Sequence, residues 1–255
     1  MMERGKVKVA AVSYYNTKPF LEGLQESDIH DDIEMVIDFP AKCADLLLTG
    51  KVDMGLVPVA VLLQIPGLKI IADYCIGSIG EVKTVCLLGE CPVHEMETIY
   101  LDYQSRTSVL LLQVLLKNHW GVTPRLVAAK PGYEKEIKGK TGGLVIGDRA
   151  IQMAKEFTYC YDMGSSWEEY AQLPFTYAVW VSVKPMKKFF LDRFNQALAK
   201  GLKAINKLVQ AEKNPFLKKF LDEYYKRNIS YDFDERKKAG LERFLADVRN
   251  LDEKV

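Results

Sequence analysis

Apolar and polar positions along the chain switch repeatedly between a strand period and a helix period. Residues 7–12 form a short apolar run that predicts a strand, ended by Ser13. A polar and aromatic stretch follows, Tyr14 to Pro19, and Pro19 opens a short helix through Leu24. Residues 34–39 predict a second strand. Pro40 then starts a helix that runs to Leu48 and stops at Gly50. Strands are also predicted at 52–57, 69–76 and 82–88, with a short helix beginning at Pro58. A second block repeats the theme: strands at 98–101, 125–129, 143–146 and 175–183, and helices at 105–117 and 148–155. Beyond Pro185 the pattern is helical, in segments 186–211, 215–227 and 233–248, with abundant Lys and Glu.

Strands alternating with helices predict an α/β fold with largely parallel sheets. Two such blocks followed by a helical tail predict two lobes. The first takes residues 1–83 and 181–255, the tail returning to it, and the second takes 84–180. Hinges are expected near 82–84 and 178–181. Ligands of such folds lie in the crevice at the carboxyl ends of the strands.

The chain has 255 residues, enough for a large core. Its 35 basic and 34 acidic side chains leave a net charge of +1, which argues against a nucleic-acid partner. No run of 18 apolar residues predicts a membrane span, and residues 1–20 do not read as a secretory leader, so a cytoplasmic protein is expected. The five cysteines, Cys43, Cys75, Cys86, Cys91 and Cys160, are odd in number and irregular in spacing, and several sit in apolar runs. They read as buried free thiols. Cys86, Cys91 and His94 have C-x4-C-x2-H spacing, but no fourth ligand stands at a recognised distance, so a zinc site has little support. No Gly-rich nucleotide motif and no G-x-S-x-G elbow is present. His30, His94 and His119 are scattered, and none stands out as a general base.

Several polar residues stand where elements of such a fold would end. Asn16 follows the first strand, and its carboxamide carries two donors and an acceptor for a ligand; it also suits a turn residue bonded to its own backbone. Ser13, Tyr14 and Lys18 share its loop, with Lys18 a candidate cation for a carboxylate and also an ordinary solvated lysine. Ser105, Arg106, Thr107 and Ser108 open an unusually apolar helix. Free amides and hydroxyls there suit a carboxylate, and Arg106 suits a bidentate clamp. Plain capping by Ser105 with an outward Arg106 is the alternative. In 76–84, Gly77 and Gly80 permit close backbone approach and Ser78 is a candidate donor. Asp148 reads as a helix cap first and as a ligand-orienting group second. Phe175, Tyr177 and Trp180 read as core or hinge residues, and Tyr177 and Trp180 also suit the wall of a ring-shaped ligand.

Five segments in order resemble the chorismate dehydratase family of the futalosine route to menaquinone: V-S-Y-Y-N-T-K-P-F at 12–20, G-K-V-D-M-G-L-V-P at 50–58, L-D-Y-Q-S-R-T-S-V at 101–109, L-V-I-G-D-R-A at 144–150 and L-P-F-T-Y-A-V-W at 173–180. Tyr15 departs from the leucine usual in that family. The resemblance implies a fold like type-2 periplasmic binding proteins, two α/β lobes around a central cleft. It implies an enzyme that removes water from chorismate to give 3-[(1-carboxyvinyl)oxy]benzoate, with no metal and no organic cofactor. It places the family's important Asn at Asn16. Thr84 stands where the family often carries a functional serine, keeping the hydroxyl and adding a methyl. Two alternatives stay open: the related lyase that forms dihydroxynaphthoate, which calls for a histidine base, and a binding protein for a small carboxylate, which calls for export or an anchor.

Overall fold

The computed structural model describes residues 6–65 and 67–252. In chain order the elements are β1 (Val7–Val12), a 3-10 turn (Tyr15–Thr17), α1 (Lys18–Gln25), β2 (Ile33–Asp38), α2 (Pro40–Leu48), β3 (Met54–Pro58) and β4 (Lys69–Ser78). There follow β5 (Val85–Gly89), β6 (Thr98–Leu101), α3 (Thr107–Leu115) with a π-helical turn (Leu116–Trp120), β7 (Arg125–Ala128), β8 (Thr141–Ile146), α4 (Asp148–Met153), β9 (Tyr159–Asp162) and α5 (Met163–Ala171). The chain ends through β10 (Phe175–Ser182), α6 (Lys188–Lys203), α7 (Ile205–Ala211), α8 (Pro215–Glu223), a second π-helical turn (Tyr224–Asn228), β11 (Ser230–Asp232) and α9 (Glu235–Asp252). Among the described residues no helix is long and apolar enough to cross a membrane.

Two compact units result. The first takes the chain up to Ile76 and again Ala178–Phe233; the second takes Gly77–Tyr177 and the chain from Asp234 on. The passages fall inside β4 and β10, not at the expected positions 82–84. The last helix also departs from the expected return of the whole tail to the first lobe. Phe244 on α9 meets Trp167 edge-on at 6.0 Å and Phe175 at 5.0 Å, so its apolar face completes the second unit's core.

The first unit is built on a six-stranded sheet in the order β11-β4-β10-β3-β1-β2. β1 runs parallel to β2 and β3, whereas β10 runs antiparallel to β3. The second unit holds a five-stranded sheet, β7-β6-β8-β5-β9, in which β6 is parallel to β7 and β8, and β5 is antiparallel to β8 and β9. Both sheets are therefore mixed rather than largely parallel. Every residue of β3, β5 and β10 is buried, so these strands read as unbroken apolar runs, and such a run does not encode direction.

In the first unit α1 packs on α6 at glycine contacts. A Cβ at Gly201 would stand 1.8 Å from the Pro19 carbonyl oxygen, and one at Gly23 would stand 2.0 Å from that of Ala197. Both obstacles are backbone, so the helices must separate to admit a methyl group. We expect Gly201→Ala to destabilise the protein by about 2–3 kcal/mol through overpacking, despite the gain in helix propensity. Urea denaturation followed by circular dichroism checks this; an unchanged or raised midpoint would show that the helices tolerate the methyl. Phe20, on the same helix, is fully buried and meets Trp180 at 6.0 Å and Tyr231 at 5.2 Å, both edge-on. These contacts fix the helix that begins where the Asn16 turn ends.

The cysteines are all free. Cys43, Cys75 and Cys86 are buried as expected, Cys91 is half-buried and Cys160 is exposed. Burial raises the Cys43 thiol to about 12.

Candidate functional site

The Asn16 turn sits at the carboxyl end of the parallel strands β1 and β2. Ser13, exposed, ties the two ends together by donating its N–H to the Asp38 carbonyl (3.1 Å). Tyr14 is half-buried and extended (φ −80°, ψ 162°), and the Thr17 N–H donates to its carbonyl at 3.0 Å, closing the 3-10 turn. The Asn16 Oδ1 accepts from the Thr17 hydroxyl at 3.1 Å. Among the described residues this is the side chain's one hydrogen bond, so its NH2 group keeps two donors. Lys18 is exposed and rests its ammonium 4.1 Å from the centre of the Tyr15 ring. It is also the first residue of α1, one position before the expected helix start at Pro19.

Two residues that sequence reasoning missed hold this turn. The buried Tyr225 donates its hydroxyl to the Tyr15 carbonyl, and the buried Tyr231 donates to the Asn16 carbonyl, both at 3.0 Å. Tyr225 comes from the second π-helical turn, inside the helical segment predicted at 215–227, and Tyr231 from the three-residue strand β11, too short for periodicity to reveal.

In the second unit the remaining candidates gather at one end of its sheet. β5 begins there, and the parallel strands β6 and β8 end there. Thr84, 2% exposed, accepts the Gly147 N–H on its carbonyl at 2.8 Å, and its hydroxyl lies 3.4 Å from the Val82 carbonyl. Ser78 is fully buried, with its hydroxyl 3.4 Å from that of Tyr177. The Cα of Gly164 lies tight against this pair: an added Cβ would stand 2.8 Å from the Ser78 hydroxyl and 2.3 Å from the Gly80 carbonyl. The Ser105 hydroxyl accepts the Ser108 N–H at 3.0 Å from one position ahead of the N-cap, which is Arg106; Thr107 and Ser108 are buried and Arg106 is half-buried. Asp148 is not the cap of its helix: that position belongs to Gly147, whose left-handed φ of 72° suits glycine, and Asp148 is the first helical residue.

Two carboxylates organise these loops, the buried Asp102 and the half-buried Asp162, and neither is singled out by the sequence. Asp102 accepts the N–H of Gln104 and of Ile146 (2.9 Å each), the Tyr133 hydroxyl (3.1 Å) and the Arg149 guanidinium (2.6 Å). It thereby joins the segment 101–109 to the segment 144–150. Burial raises its pKa against the opposing pull of Arg149. Asp162 accepts the N–H of Val82 (3.0 Å), Lys83 (2.7 Å), Gly164 (2.9 Å) and Ser165 (3.1 Å). Burial raises its pKa too, against those amides. It caps α5 and holds Lys83 at a positive φ of 64°, directly before Thr84. The sequence carries a signal for it, an Asp immediately ahead of an amphipathic segment, in a stretch where the apolar pattern predicts neither β9 nor α5.

A surface cavity of about 370 Å3 in the first unit, lined by Val7, Asp32, Met186, Phe190 and Arg193 among others, contains none of these candidates. It adjoins the start of β1, whereas Asn16 lies beyond that strand's other end. Among the described residues no group of three or more His, Cys, Asp or Glu side chains is placed to share a metal ion.

Solved structures place the fold among the periplasmic-binding-protein-like folds. Protein AF1704 from Archaeoglobus fulgidus matches with a TM-score of 0.73 at 14% identity, over 98% of each chain. The CA3427 gene product of Candida albicans, described as having the generic periplasmic binding protein fold, matches with a TM-score of 0.64 at 13% identity, over 98% of this chain and 92% of that one. In sequence, a protein of Thermus thermophilus named chorismate dehydratase is 28% identical over 226 residues, 80% of this chain and 83% of its own length. The family described as menaquinone biosynthesis matches residues 7–250, nearly the whole chain, and the chain belongs to that family.

Proposed function

We propose that this protein is a chorismate dehydratase, a hydro-lyase that takes one water from chorismate and releases 3-[(1-carboxyvinyl)oxy]benzoate. The observation that carries the reading is the relative of that name, similar over four-fifths of the chain, inside a family match that spans residues 7–250. The local chemistry agrees with it. In the first unit the Asn16 NH2 donors suit a departing hydroxyl; in the second unit the Thr84 hydroxyl is a donor of the same kind. The ammonium of Lys18 and the donors at Ser13 and Tyr14 suit one carboxylate. In the second unit the segment from Ser105 through Arg106 and Thr107 to Ser108 suits a carboxylate, with Ser78 and Asp148 as further polar groups.

The reaction balances without an oxidant or a reductant. A C–H bond breaks at the ring carbon that bears the ether, and its electron pair becomes a ring double bond. The neighbouring C–O bond breaks, and hydroxide leaves. In the proposed sequence the substrate's own enolpyruvyl carboxylate takes the ring proton and passes it to the departing hydroxide as water. The chain's part is to hold both carboxylates, hydrogen-bond the leaving oxygen and keep the substrate's side chain over the ring hydrogen.

The test is to mix the purified protein with chorismate alone and follow absorbance and mass. Loss of the mass of one water, with the appearance of an aromatic ring that keeps its enolpyruvyl ether, is the expected result. Binding without turnover would assign a carboxylate-binding protein instead; in a separate incubation with a cyclised futalosine, release of dihydroxynaphthoate would assign the related lyase.

A further inference from the structure

We infer that Tyr225 and Tyr231 are positioning residues that fix the backbone of Asn16, an inference that rests on the role proposed above for that residue. The two carbonyls they bind belong to the peptide planes on either side of the Asn16 Cα: that of Tyr15 before it and that of Asn16 after it. Pinning both planes fixes φ and ψ of Asn16 together. The side-chain torsions are then restrained by the bond from the Thr17 hydroxyl to Oδ1 (3.1 Å), which also decides which end of the amide presents donors. Thr17 is itself fully buried. Every soft torsion of Asn16 therefore has a restraint.

The local backbone does not supply this rigidity by itself. The turn is three residues long, and the Thr17 N–H to Tyr14 bond and the Lys18 N–H to Tyr15 bond are what close it. The tyrosines bring their restraint from buried ground. Tyr231 is wedged edge-on against Phe20 at 5.2 Å, and Tyr225 lies 5.9 Å from the ring of buried Tyr224. Burial also pushes the Tyr231 hydroxyl well above the ordinary tyrosine range, so it stays a donor across the working pH range. A buried tyrosine hydroxyl takes a partner wherever one is in reach. Here the two hydroxyls bind the carbonyls on either side of one Cα.

Phenylalanine keeps each ring and removes only the donor, so Tyr225→Phe, Tyr231→Phe and the double variant test the idea with little disturbance of packing. We expect amide hydrogen exchange in the peptide spanning 13–18 to quicken about tenfold in the double variant, with the rest of the first unit unchanged. We expect kcat on chorismate to fall roughly tenfold with KM within about twofold, as a misplaced group affects the reacting geometry more than substrate capture. Placed in the Asn16→Ala background, the same substitutions should lower the residual rate no further. Unchanged exchange in the loop would overturn the inference, and so would an equal fall of kcat in the Asn16→Ala background, which would mark a general structural role. A wild-type protein inert toward chorismate would sink the proposed reaction alone, and the exchange measurement would still decide the clamp.

Discussion

Asn16→Ala is expected to lower turnover of chorismate by about 10²–10³-fold, the usual cost of removing one preorganised donor from a developing negative charge. Expelling hydroxide from a ring carbon places that charge on the departing oxygen. The Asn16 NH2 group is suited to meet it, because its Oδ1 is already occupied by the Thr17 hydroxyl and its donors are left over. Stability should change little. The side chain is half-buried and, among the described residues, makes one bond, to its neighbour in sequence, so the loss is about 1 kcal/mol or less. The variant should therefore keep its melting temperature within a few degrees while steady-state kcat collapses. A turnover within threefold of wild type (about 0.7 kcal/mol in the barrier) would remove Asn16 from the chemistry. Asn16→Asp adds a second reading: it keeps the size but places a like charge beside the leaving hydroxide, and it should not recover the rate.

Much of the framework was legible because its signals are local. β1, α2 and β6 fall where the apolar period, the Pro at the helix start and the flanking glycines put them. The Asn16 turn was legible for the same reason: a strand stopped by Ser13 and a helix expected from Pro19, which in the structure starts at Lys18, leave only a few residues for the connection. What escaped was whatever depends on distant parts of the chain. Strand direction in β5 and β10 is invisible in a continuous apolar run. The place of α9 in the second unit depends on Phe244 finding Trp167 and Phe175, residues that lie far away in sequence. Asp102 was passed over inside its own motif, since its function comes from four donors contributed by residues 104, 133, 146 and 149. Asp148 was read as a cap from its place before a helix, but Gly147 accepts the left-handed φ there and Asp148 moves one position inward.

A chorismate analogue whose enolpyruvyl carboxylate is replaced by a neutral amide is expected to bind and yet to turn over about 10²–10⁴-fold more slowly, the range that general-base catalysis supplies. The expectation comes from where the protein keeps its own bases. His30 lies in a 3-10 turn at Asp28–Asp32 that leads into β2, and β2 is parallel to β1, so it stands at the opposite end of the sheet from Asn16. His94 follows β5, whereas Thr84 precedes it, and its imidazole is exposed beside Glu95 at 3.8 Å. His119 is twelve residues along the helical run that begins at Thr107, roughly 18 Å from that start at 1.5 Å per residue, and faces Glu169 at 3.4 Å. Two carboxylates that tie the candidate loops together are already engaged: buried Asp102 by Arg149 and three other donors, half-buried Asp162 by four backbone amides. A base drawn from the substrate itself needs none of these groups, only a protein that holds the side chain against the ring hydrogen while the ring gains aromaticity. The amide analogue keeps the shape and removes the proton acceptor. Single-turnover mass spectrometry separates its binding from its conversion. Turnover at the normal rate would show that the substrate carboxylate is not the base, and the search would return to an ionisable side chain whose neutral isostere abolishes kcat while ligand affinity is kept.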